Sequence, residues 1–222
     1  MLPKFLSGWL LPPSASTFGS DIDHLYNVVL LITAIVFVLT ETALVVFCLR
    51  YRSRPGQKVS PSHGSTKAEI IWTAIPAAIL IVLGIMSQSL WAKLRQPKNF
   101  PAPALVVQVK AEQWLWNFKY AGPDGEIDVQ NEFHIPVGQT VKFELTSQDV
   151  IHGFYIPGLR IHQDAVPGIT SMVWVQATKT GQYELRCTQF CGTNHYQMKG
   201  LLTVETPGEF QAWLKSAKAA AF

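Results

Sequence analysis

Two long apolar runs in the first hundred residues restrict what this chain of 222 residues can fold into. Residues 25–49 and 70–90 are mostly apolar, and about twenty such residues suffice for a helix to cross ~30 Å of hydrocarbon. The segment 50–58 between them carries three arginines and a lysine, and short loops with this charge stay on the cytoplasmic side. The sequence therefore predicts an antiparallel pair of membrane helices with both chain ends on the outer side.

The composition changes again after the second apolar run, where prolines and polar residues follow. We expect an N-terminal outer arm over residues 1–24, a helix hairpin over 25–96 with a cytoplasmic loop at about 50–68, and an extracytoplasmic domain over 97–222. The formal net charge of +3 comes from the membrane part, since residues 101–222 contain nine Lys and Arg against eleven Asp and Glu. This charge pattern gives no indication of nucleic-acid binding.

The first residues allow two interpretations. Lys4 followed by the apolar residues 5–11 resembles the core of a short signal peptide, and residues 14–16 offer small side chains for cleavage. The alternative is an ordered, partly apolar arm on the outer surface, which we favour because the apolar run is short.

The extracytoplasmic domain has the pattern of short β-strands separated by Gly, Pro and Asp turns. A first strand begins around Val106, and the other candidates are residues 113–120, 132–135, 140–146, 171–177, 182–187 and 200–205. About seven such strands in a hundred residues fit a Greek-key sandwich or barrel. Thr206 as an N-cap, with Glu209 three residues later, predicts a short C-terminal helix over about 209–220.

One loop near the end of this domain concentrates metal-binding side chains. It contains two thiols, an imidazole and a thioether at spacings of four, four and three residues, namely Cys187, Cys191, His195 and Met198. A further histidine, His152, lies far upstream. These soft or borderline ligands select copper rather than calcium or magnesium, and two cysteines suggest two copper ions that share bridging sulfurs. The predicted fold is a two-helix transmembrane hairpin followed by an all-β cupredoxin-like Greek-key domain with a short C-terminal helix.

These cysteines have two alternative uses. Because the domain faces an oxidising compartment, Cys187 and Cys191 would also suit a disulfide. Two cysteines and two histidines would suit tetrahedral zinc. Met198 favours copper over zinc, since cupredoxin sites commonly add a weak axial methionine.

Four separated motifs resemble subunit II of the haem-copper cytochrome c oxidases, which carries a dinuclear copper A centre. They are the segments 69–76, 112–120, 164–168 and 187–198, and the resemblance covers nearly the whole chain. It implies the electron-input subunit of a proton-pumping terminal oxidase, which accepts electrons from cytochrome c and passes them to haem in subunit I. Oxygen would be reduced to water in subunit I, and this chain alone would carry electron transfer only. Its expected partners are subunit I, other oxidase subunits and a small electron donor.

The resemblance also implies the role of each copper ligand. The implied ligands are Cys187 and Cys191 as bridging thiolates, the imidazoles of His152 and His195, the Met198 sulfur and the backbone carbonyl of Gln189. Most relatives carry Glu at the position of Gln189, where its side chain helps to bind magnesium at the interface with subunit I. An amide oxygen is a weaker ligand for a hard dication, which puts a magnesium site in doubt here. His162, where many relatives have Lys, is a second departure.

The aromatic segment has a further implied role. At strand spacing, one face of the strand would carry four aromatic side chains, those of Trp114, Trp116, Phe118 and Tyr120. We expect the last three to pack in the core of the β domain. The resemblance instead implies that Trp114 is the surface aromatic through which cytochrome c passes electrons to copper A.

The resemblance also implies that acidic groups near the copper dock the basic haem face of cytochrome c. In this chain they are Asp149, Asp124, Glu126 and Asp128. The domain's excess of only two acids makes the attracting field weak. A less basic cytochrome or a small copper protein is therefore an alternative donor.

Two acidic residues lie in the membrane part. Thr66 and Glu69 have the spacing of a capping box, and the resemblance implies that Glu69 lies at the mouth of the proton-uptake route in subunit I called the K pathway. Glu41 lies deeper, where an ionisable group should face protein rather than lipid. The sequence assigns no function to Glu41.

Two other functions stay open. A copper A subunit of a membrane nitric-oxide reductase would need the same ligands, whereas a structural subunit of a quinol oxidase would have lost the metal. The intact ligand set argues against the second. In either case we expect an integral protein of a bacterial inner membrane, with lipid around the hairpin and both the N-terminus and the C-terminal domain on the periplasmic side.

Overall fold

The computed structural model describes residues 11–56, 58, 63–122 and 125–220. The chain divides into two compact units: a membrane unit, Asp21–Trp91, and an outer unit made of the residues on both sides of it. Helix α1 spans Gly19–Arg50 and helix α2 spans Thr66–Arg95. Their most apolar windows have mean hydropathies of 2.6 and 2.3, with none of those residues buried within the chain. The predicted pair of long apolar helices is confirmed.

Both helices extend beyond the apolar runs because charged residues suit their ends. Asp21 lies in the first turn of α1 and Arg50 in its last turn, while Lys93 and Arg95 lie in the last turn of α2. An acid near a helix N-terminus and bases near a C-terminus interact favourably with the helix dipole. Hydropathy alone therefore underestimates the length of each helix.

Helix α2 begins with a different cap from the one predicted. The backbone N–H of Ala68 donates to the Ser65 hydroxyl at 3.5 Å, so Ser65 rather than Thr66 is the N-cap. Glu69 then lies one position too late for a capping box, and the predicted capping role is wrong. Among the residues that the structure describes, its exposed carboxylate has no hydrogen-bond partner.

The outer unit is a sandwich of two five-stranded sheets. The strands are β1 (Leu105–Glu112), β2 (Leu115–Gly122), β3 (Gly125–Gln130), β4 (Glu132–Pro136), β5 (Thr140–Ser147), β6 (His152–Ile156), β7 (Ile161–Ala165), β8 (Ser171–Gln176), β9 (Gly181–Cys187) and β10 (Lys199–Glu205). One sheet has the order β3-β2-β1-β5-β8 and the other β4-β10-β9-β6-β7. The described residues thus form more strands than the seven or so predicted, and the additional strands are β3, β6 and β7.

Aromatic side chains fill the space between the sheets. Trp116, Phe118 and Tyr120 on β2 are almost fully buried, and the ring of Phe118 stacks on that of Phe133 at 3.9 Å between centroids. The predicted core packing of these three is confirmed. Trp114 precedes β2 and remains partly exposed, so it does not share their buried face. The prediction that all four aromatic side chains lie on one face is therefore wrong for Trp114.

A C-terminal helix, α3 (Pro207–Ala220), follows β10. Its capping box is as predicted: the Thr206 N–H donates to the Glu209 carboxylate at 2.9 Å, and the Glu209 N–H donates to the Thr206 hydroxyl at 3.4 Å. The Trp213 ring on this helix stacks on His134 at 4.2 Å, which attaches the helix to the sandwich.

Part of the N-terminal arm belongs to the outer unit. The N–H of Ala15 donates to the carbonyl of Gly158 at 2.8 Å, and the N–H of Thr178 donates to the carbonyl of Ala15 at 2.8 Å. Phe18 is buried, and its ring meets that of Trp174 edge to face at 5.2 Å. Residues 15–18 thus pack as part of the outer unit, whereas Lys4 and residues 5–10 lie outside the described residues, so the choice between an arm and a signal segment stays a prediction.

Replacing Phe18 with alanine is expected to lower the free energy of unfolding of the outer unit by about 3–5 kcal/mol, because a buried ring is lost and a cavity remains. Phe190→Ala makes the same chemical change at a side chain that is 84% exposed, and should change that free energy by less than about 0.5 kcal/mol. Denaturant unfolding of the full chain in detergent, followed by tryptophan fluorescence, measures both. Equal effects at the two positions would mean that the arm does not pack as described.

Candidate metal centre

Strand pairing brings His152 to the ligand loop. Strand β6 begins at His152 and β9 ends at Cys187, and the two strands pair antiparallel with Phe154 opposite Cys187. The N–H of Cys187 donates to the carbonyl of Met198 at 3.1 Å, which closes the loop between β9 and β10. The sheet therefore holds the distant histidine and the loop in one site.

The thiols and imidazoles meet at separations that metal ions can bridge. The sulfurs of Cys187 and Cys191 are 3.7 Å apart. Nδ1 of His152 lies 3.9 Å from the Cys187 sulfur, and Nδ1 of His195 lies 3.5 Å from the Cys191 sulfur. A disulfide needs about 2.0 Å between sulfurs, so the two cysteines are free thiols in this structure.

The two weaker donors lie beside the same sulfurs. The Met198 sulfur is 3.1 Å from His152 Nδ1 and 3.8 Å from the Cys191 sulfur. The carbonyl oxygen of Gln189 is 3.3 Å from the Cys187 sulfur. His152, Cys191 and Met198 are each at most 1% exposed. All six donor groups predicted from the sequence are thus gathered around one pair of sulfurs.

The two thiols differ in how readily they ionise. Burial opposes ionisation of Cys187, but the adjacent His152 side chain and neighbouring backbone groups outweigh burial and lower the pKa of this thiol. Burial raises the pKa of Cys191, and the adjacent Cys187 raises it further. Bound cations that replace the thiol protons would stabilise both thiolates together.

This donor set fits copper. His152, Cys187 and Cys191 offer ligand atoms that all lie within 4.8 Å of one another. Sulfur and imidazole donors suit copper, and a thioether such as that of Met198 is a common weak ligand in copper proteins but a rare one for zinc.

A carboxylate lies behind His152. Oδ1 of Asp149 is 2.8 Å from Nε2 of His152, the ring nitrogen that does not face the sulfurs. A neutral imidazole carries one N–H, so this bond assigns the proton to Nε2 and leaves the Nδ1 lone pair toward the thiols. Burial opposes ionisation of Asp149, but hydrogen bonds from His152 and from two backbone N–H groups outweigh it and lower its pKa.

Trp114 lies against the ligand loop. Its Nε1–H donates to the carbonyl oxygen of Cys191 at 3.2 Å, and the side chain of Gln113 donates to the same oxygen at 2.8 Å. A Cβ added at Gly192 would come within 3.3 Å of the Trp114 ring and 3.0 Å of the Gln113 amide. The loop backbone therefore approaches this aromatic closely.

Sequence reasoning missed Gly153, which sits next to His152. A Cβ there would meet the Thr188 hydroxyl at 2.1 Å and the backbone nitrogens of Thr188 and Gln189 at 3.0 Å. Only glycine lets the ligand loop pass this close to β6. A glycine inside a strand, directly after a candidate ligand, was the available signal.

Comparison with known proteins identifies the family. Residues 122–205 match the family model described as cytochrome c oxidase subunit II, periplasmic domain, and residues 5–90 match the transmembrane domain of the same subunit. The chain is 32% identical to cytochrome c oxidase subunit 2 of Thermostichus vulcanus, with 96% of this chain and 80% of the relative covered. The chain belongs to the cytochrome c oxidase subunit II family.

Other relatives agree with this membership. The alternative cytochrome c oxidase subunit 2 of Bradyrhizobium diazoefficiens is 28% identical, with 98% of this chain and 87% of the relative covered. The crystal structure of the periplasmic domain of subunit II of cytochrome oxidase from Bradyrhizobium japonicum has a TM-score of 0.52 and 28% identity, and covers 54% of this chain and 97% of its own. This subunit II is therefore an inner-membrane protein with its β domain on the outer side.

Gln189 makes a different contact from the one a magnesium ligand needs. Its Nε2 lies 3.2 and 3.1 Å from the two carboxylate oxygens of Asp164, so the amide donates there and its oxygen points elsewhere. Nε2 of His162 lies 2.9 Å from the Thr188 hydroxyl and 3.8 Å from Asp164. The Gln189 amide and the Asp164 carboxylate are therefore hydrogen-bonded to each other here, and the doubt about a magnesium site stays a prediction.

The four predicted docking acids have different surroundings. Asp149 is engaged with His152, whereas Glu126 forms an ion pair with Lys119 at 2.7 Å. Asp128 lies opposite Lys119 in the register of β2 and β3, and Asp124 lies outside the described residues. The lysine weakens the negative field of this sheet edge, so a docking role for these acids stays a prediction.

Proposed function

We propose that this chain is the electron-input subunit of a proton-pumping terminal oxidase and accepts electrons from cytochrome c at a dinuclear copper A centre. The observation that carries the proposal is the set of six donor groups around two sulfurs 3.7 Å apart. Membership of the cytochrome c oxidase subunit II family supports the assignment to an oxidase complex.

Each half of the proposed cluster has its own imidazole. The thiolates of Cys187 and Cys191 would be shared by both metal ions. His152 and Met198, whose donor atoms approach to 3.1 Å, would hold one copper. His195 and the carbonyl of Gln189 would hold the other, which would leave the Gln189 side chain free to bond Asp164.

When bound, a copper pair that shares one unpaired electron supplies one-electron transfer with little change in its bond lengths. The protein contributes rigidity, because its ligands lie on paired strands and on a loop closed by the bond between Cys187 and Met198. Burial of His152, Cys191 and Met198 keeps water away from the donors. A dry, fixed ligand set lowers the reorganisation that accompanies each electron transfer.

Trp114 is the proposed aromatic at which electrons arrive. Its partly exposed ring reaches the surface, and its N–H contacts the carbonyl of Cys191, a bridging ligand in the proposed cluster. The proposed electron path runs from the Trp114 ring through this hydrogen bond to the Cys191 carbonyl, and then through Cys191 itself to its sulfur. Cytochrome c or a similar small protein would dock over Trp114, with Asp128 and Glu126 adding a weak attraction that Lys119 partly cancels.

The membrane hairpin supports binding to the haem-containing subunit I. Its apolar windows are not buried within the chain, so the helices have surface for lipid and for partner helices. Glu41 is exposed on α1, and a carboxyl group at that depth is favourable only against protein. Subunit I, with the other oxidase subunits, would then receive the electrons and reduce oxygen to water.

Glu69 is the proposed group at the mouth of the proton-uptake route. Glu69→Gln is expected to slow oxygen-dependent turnover of the purified oxidase about 100-fold, the low end for loss of a proton-transfer group. The described structure gives this carboxylate no capping role, so the loss would not come from the helix end. Glu69→Asp should recover part of the rate. Glu132→Gln removes an exposed acid from the outer unit and should leave turnover unchanged. Turnover equal to wild type in Glu69→Gln would remove Glu69 from the proton route.

Purified oxidase that contains this chain tests the proposed function. Under anaerobic conditions, reduced cytochrome c should reduce the copper centre first and haem second, and addition of oxygen should reoxidise both. A nitric-oxide reductase would turn over nitric oxide instead of oxygen. A complex without copper that accepts electrons from quinol but not from cytochrome c would contradict the proposal in favour of a structural subunit.

A further inference from the structure

The carboxylate of Asp149 is surrounded by donors from three directions. Oδ1 accepts from Nε2 of His152 at 2.8 Å and from the N–H of Val150 at 2.7 Å. Oδ2 accepts from the N–H of Gln113 at 2.7 Å. A docking acid needs a free carboxylate that points into solvent. Both oxygens of Asp149 instead accept hydrogen bonds from within the chain, and its side chain is only 28% exposed.

The same carboxylate joins the two sides of the candidate metal centre. Through Oδ1 it holds His152, on β6. Through Oδ2 it holds the backbone of Gln113, whose own side chain donates to the carbonyl of Cys191, as does neighbouring Trp114. One residue therefore fixes an imidazole ligand and the chain segment that carries the surface aromatic.

We propose that Asp149 is a positioning residue for the copper centre: it orients His152 for metal binding and holds the Trp114 segment against the Cys191 loop. This inference rests on the proposed function, because it assumes that His152 binds copper. Carboxylates that hold the second nitrogen of a metal-bound histidine commonly fix the ring orientation and raise its basicity. Here the one carboxylate also sets the distance between the ligand and the aromatic.

Asparagine is the sharpest substitution because it keeps the size of the side chain. An amide has one accepting oxygen and one donating NH2 group. In Asp149→Asn, the amide oxygen can accept a hydrogen bond from His152 or from the N–H of Gln113, but not from both. The amide NH2 group then faces the remaining N–H donor and cannot accept from it. One of the two bonds is lost whichever way the amide turns, and the negative charge behind the imidazole is lost as well.

Copper affinity of the full chain in detergent, measured by competition with a chelator, tests the proposal. Asp149→Asn is expected to bind copper about 10–100-fold more weakly than wild type, the usual effect of removing a group that orients a metal ligand. Glu132→Gln removes one negative charge from an exposed position at the start of β4, and it should bind copper as wild type does. Unfolding of the metal-free variants, measured in parallel, separates lost copper affinity from lost folding.

A second readout identifies which histidine is affected. With nitrogen-15 labelled histidine, electron–nuclear double resonance resolves the coupling of each imidazole to the copper electron. Asp149→Asn should alter the coupling of one imidazole and leave the other, from His195, at its wild-type value. A general loosening of the domain would alter both and would overturn the proposal. Wild-type affinity and spectra, with only a salt-dependent slowing of donor oxidation, would overturn it in favour of a docking role. If wild type itself bound no copper, the proposed function would fail first.

Discussion

Cys191→Ser is expected to abolish the dinuclear copper centre. The Cys191 sulfur lies within 3.8 Å of three other donor atoms, those of Cys187, His195 and Met198. A serine hydroxyl is a hard and weakly acidic ligand that replaces a soft thiolate poorly in a copper site. We expect at most one copper per chain, and oxidase turnover with cytochrome c below about 1% of wild type. Loss of a group that only orients a metal ligand already lowers metal affinity or activity by up to ~100-fold, and loss of a ligand itself should lower them further.

The matched control is Cys48→Ser, which makes the same chemical change at the remaining cysteine of the chain. Cys48 is exposed on α1, so copper content and turnover should stay at wild-type values. Copper analysis of both purified complexes, together with oxygen uptake, makes the comparison. Two coppers per chain and normal turnover in Cys191→Ser would exclude Cys191 from the centre.

Trp114→Ala is expected to slow reduction of the copper centre by cytochrome c about 100-fold, the effect that a misplacement of about 1 Å between reacting groups can have. The indole bridges the surface and the carbonyl of Cys191 at 3.2 Å, and alanine leaves a gap in that path. Stopped-flow reduction of the oxidised complex by reduced cytochrome c measures the rate. Trp114→Phe keeps a ring but loses the N–H, so its rate should fall between the two.

Electron transfer from copper to haem within the same variants provides the internal control. Trp114 contacts the ligand loop at the Cys191 carbonyl and beside Gly192, whereas the proposed copper ligand of Cys191 is its sulfur, so copper content and the internal transfer rate should match wild type. A wild-type rate of reduction by cytochrome c in Trp114→Ala would mean that electrons arrive elsewhere. Slowing of the internal step alone would mean that Trp114 lies on the path toward subunit I.

Features encoded by local patterns were predictable from the sequence. The apolar runs predicted both membrane helices, and the spacing from Cys187 to Met198 predicted the ligand loop. The capping box of Thr206 and Glu209 formed as expected, because both partners lie within one helical turn. The core positions on β2 followed from strict alternation, which places every second side chain between the sheets.

Features that depend on tertiary contacts were not predictable. Asp149 has the sequence of an exposed turn acid, and only the start of β6 turns the His152 ring toward it. The side chain of Gln113 bonds Cys191, which is 78 residues away in the chain, and a periodic sequence pattern cannot predict a contact between such distant residues.

The position of one helix end was also not predictable. The cap at Ser65 rather than Thr66 depends on a shift of one residue, and sequence patterns seldom resolve helix ends to that level.

The most direct test of the central claim is the electron spin resonance spectrum of the full chain, loaded with copper in detergent and analysed for metal content. The full chain is needed because Ala15 and Phe18 of the arm pack in the outer unit. One electron shared equally by two copper nuclei gives a seven-line hyperfine pattern, and we expect that pattern with two coppers per chain. A four-line pattern with one copper per chain would contradict the dinuclear centre and would indicate a mononuclear copper protein.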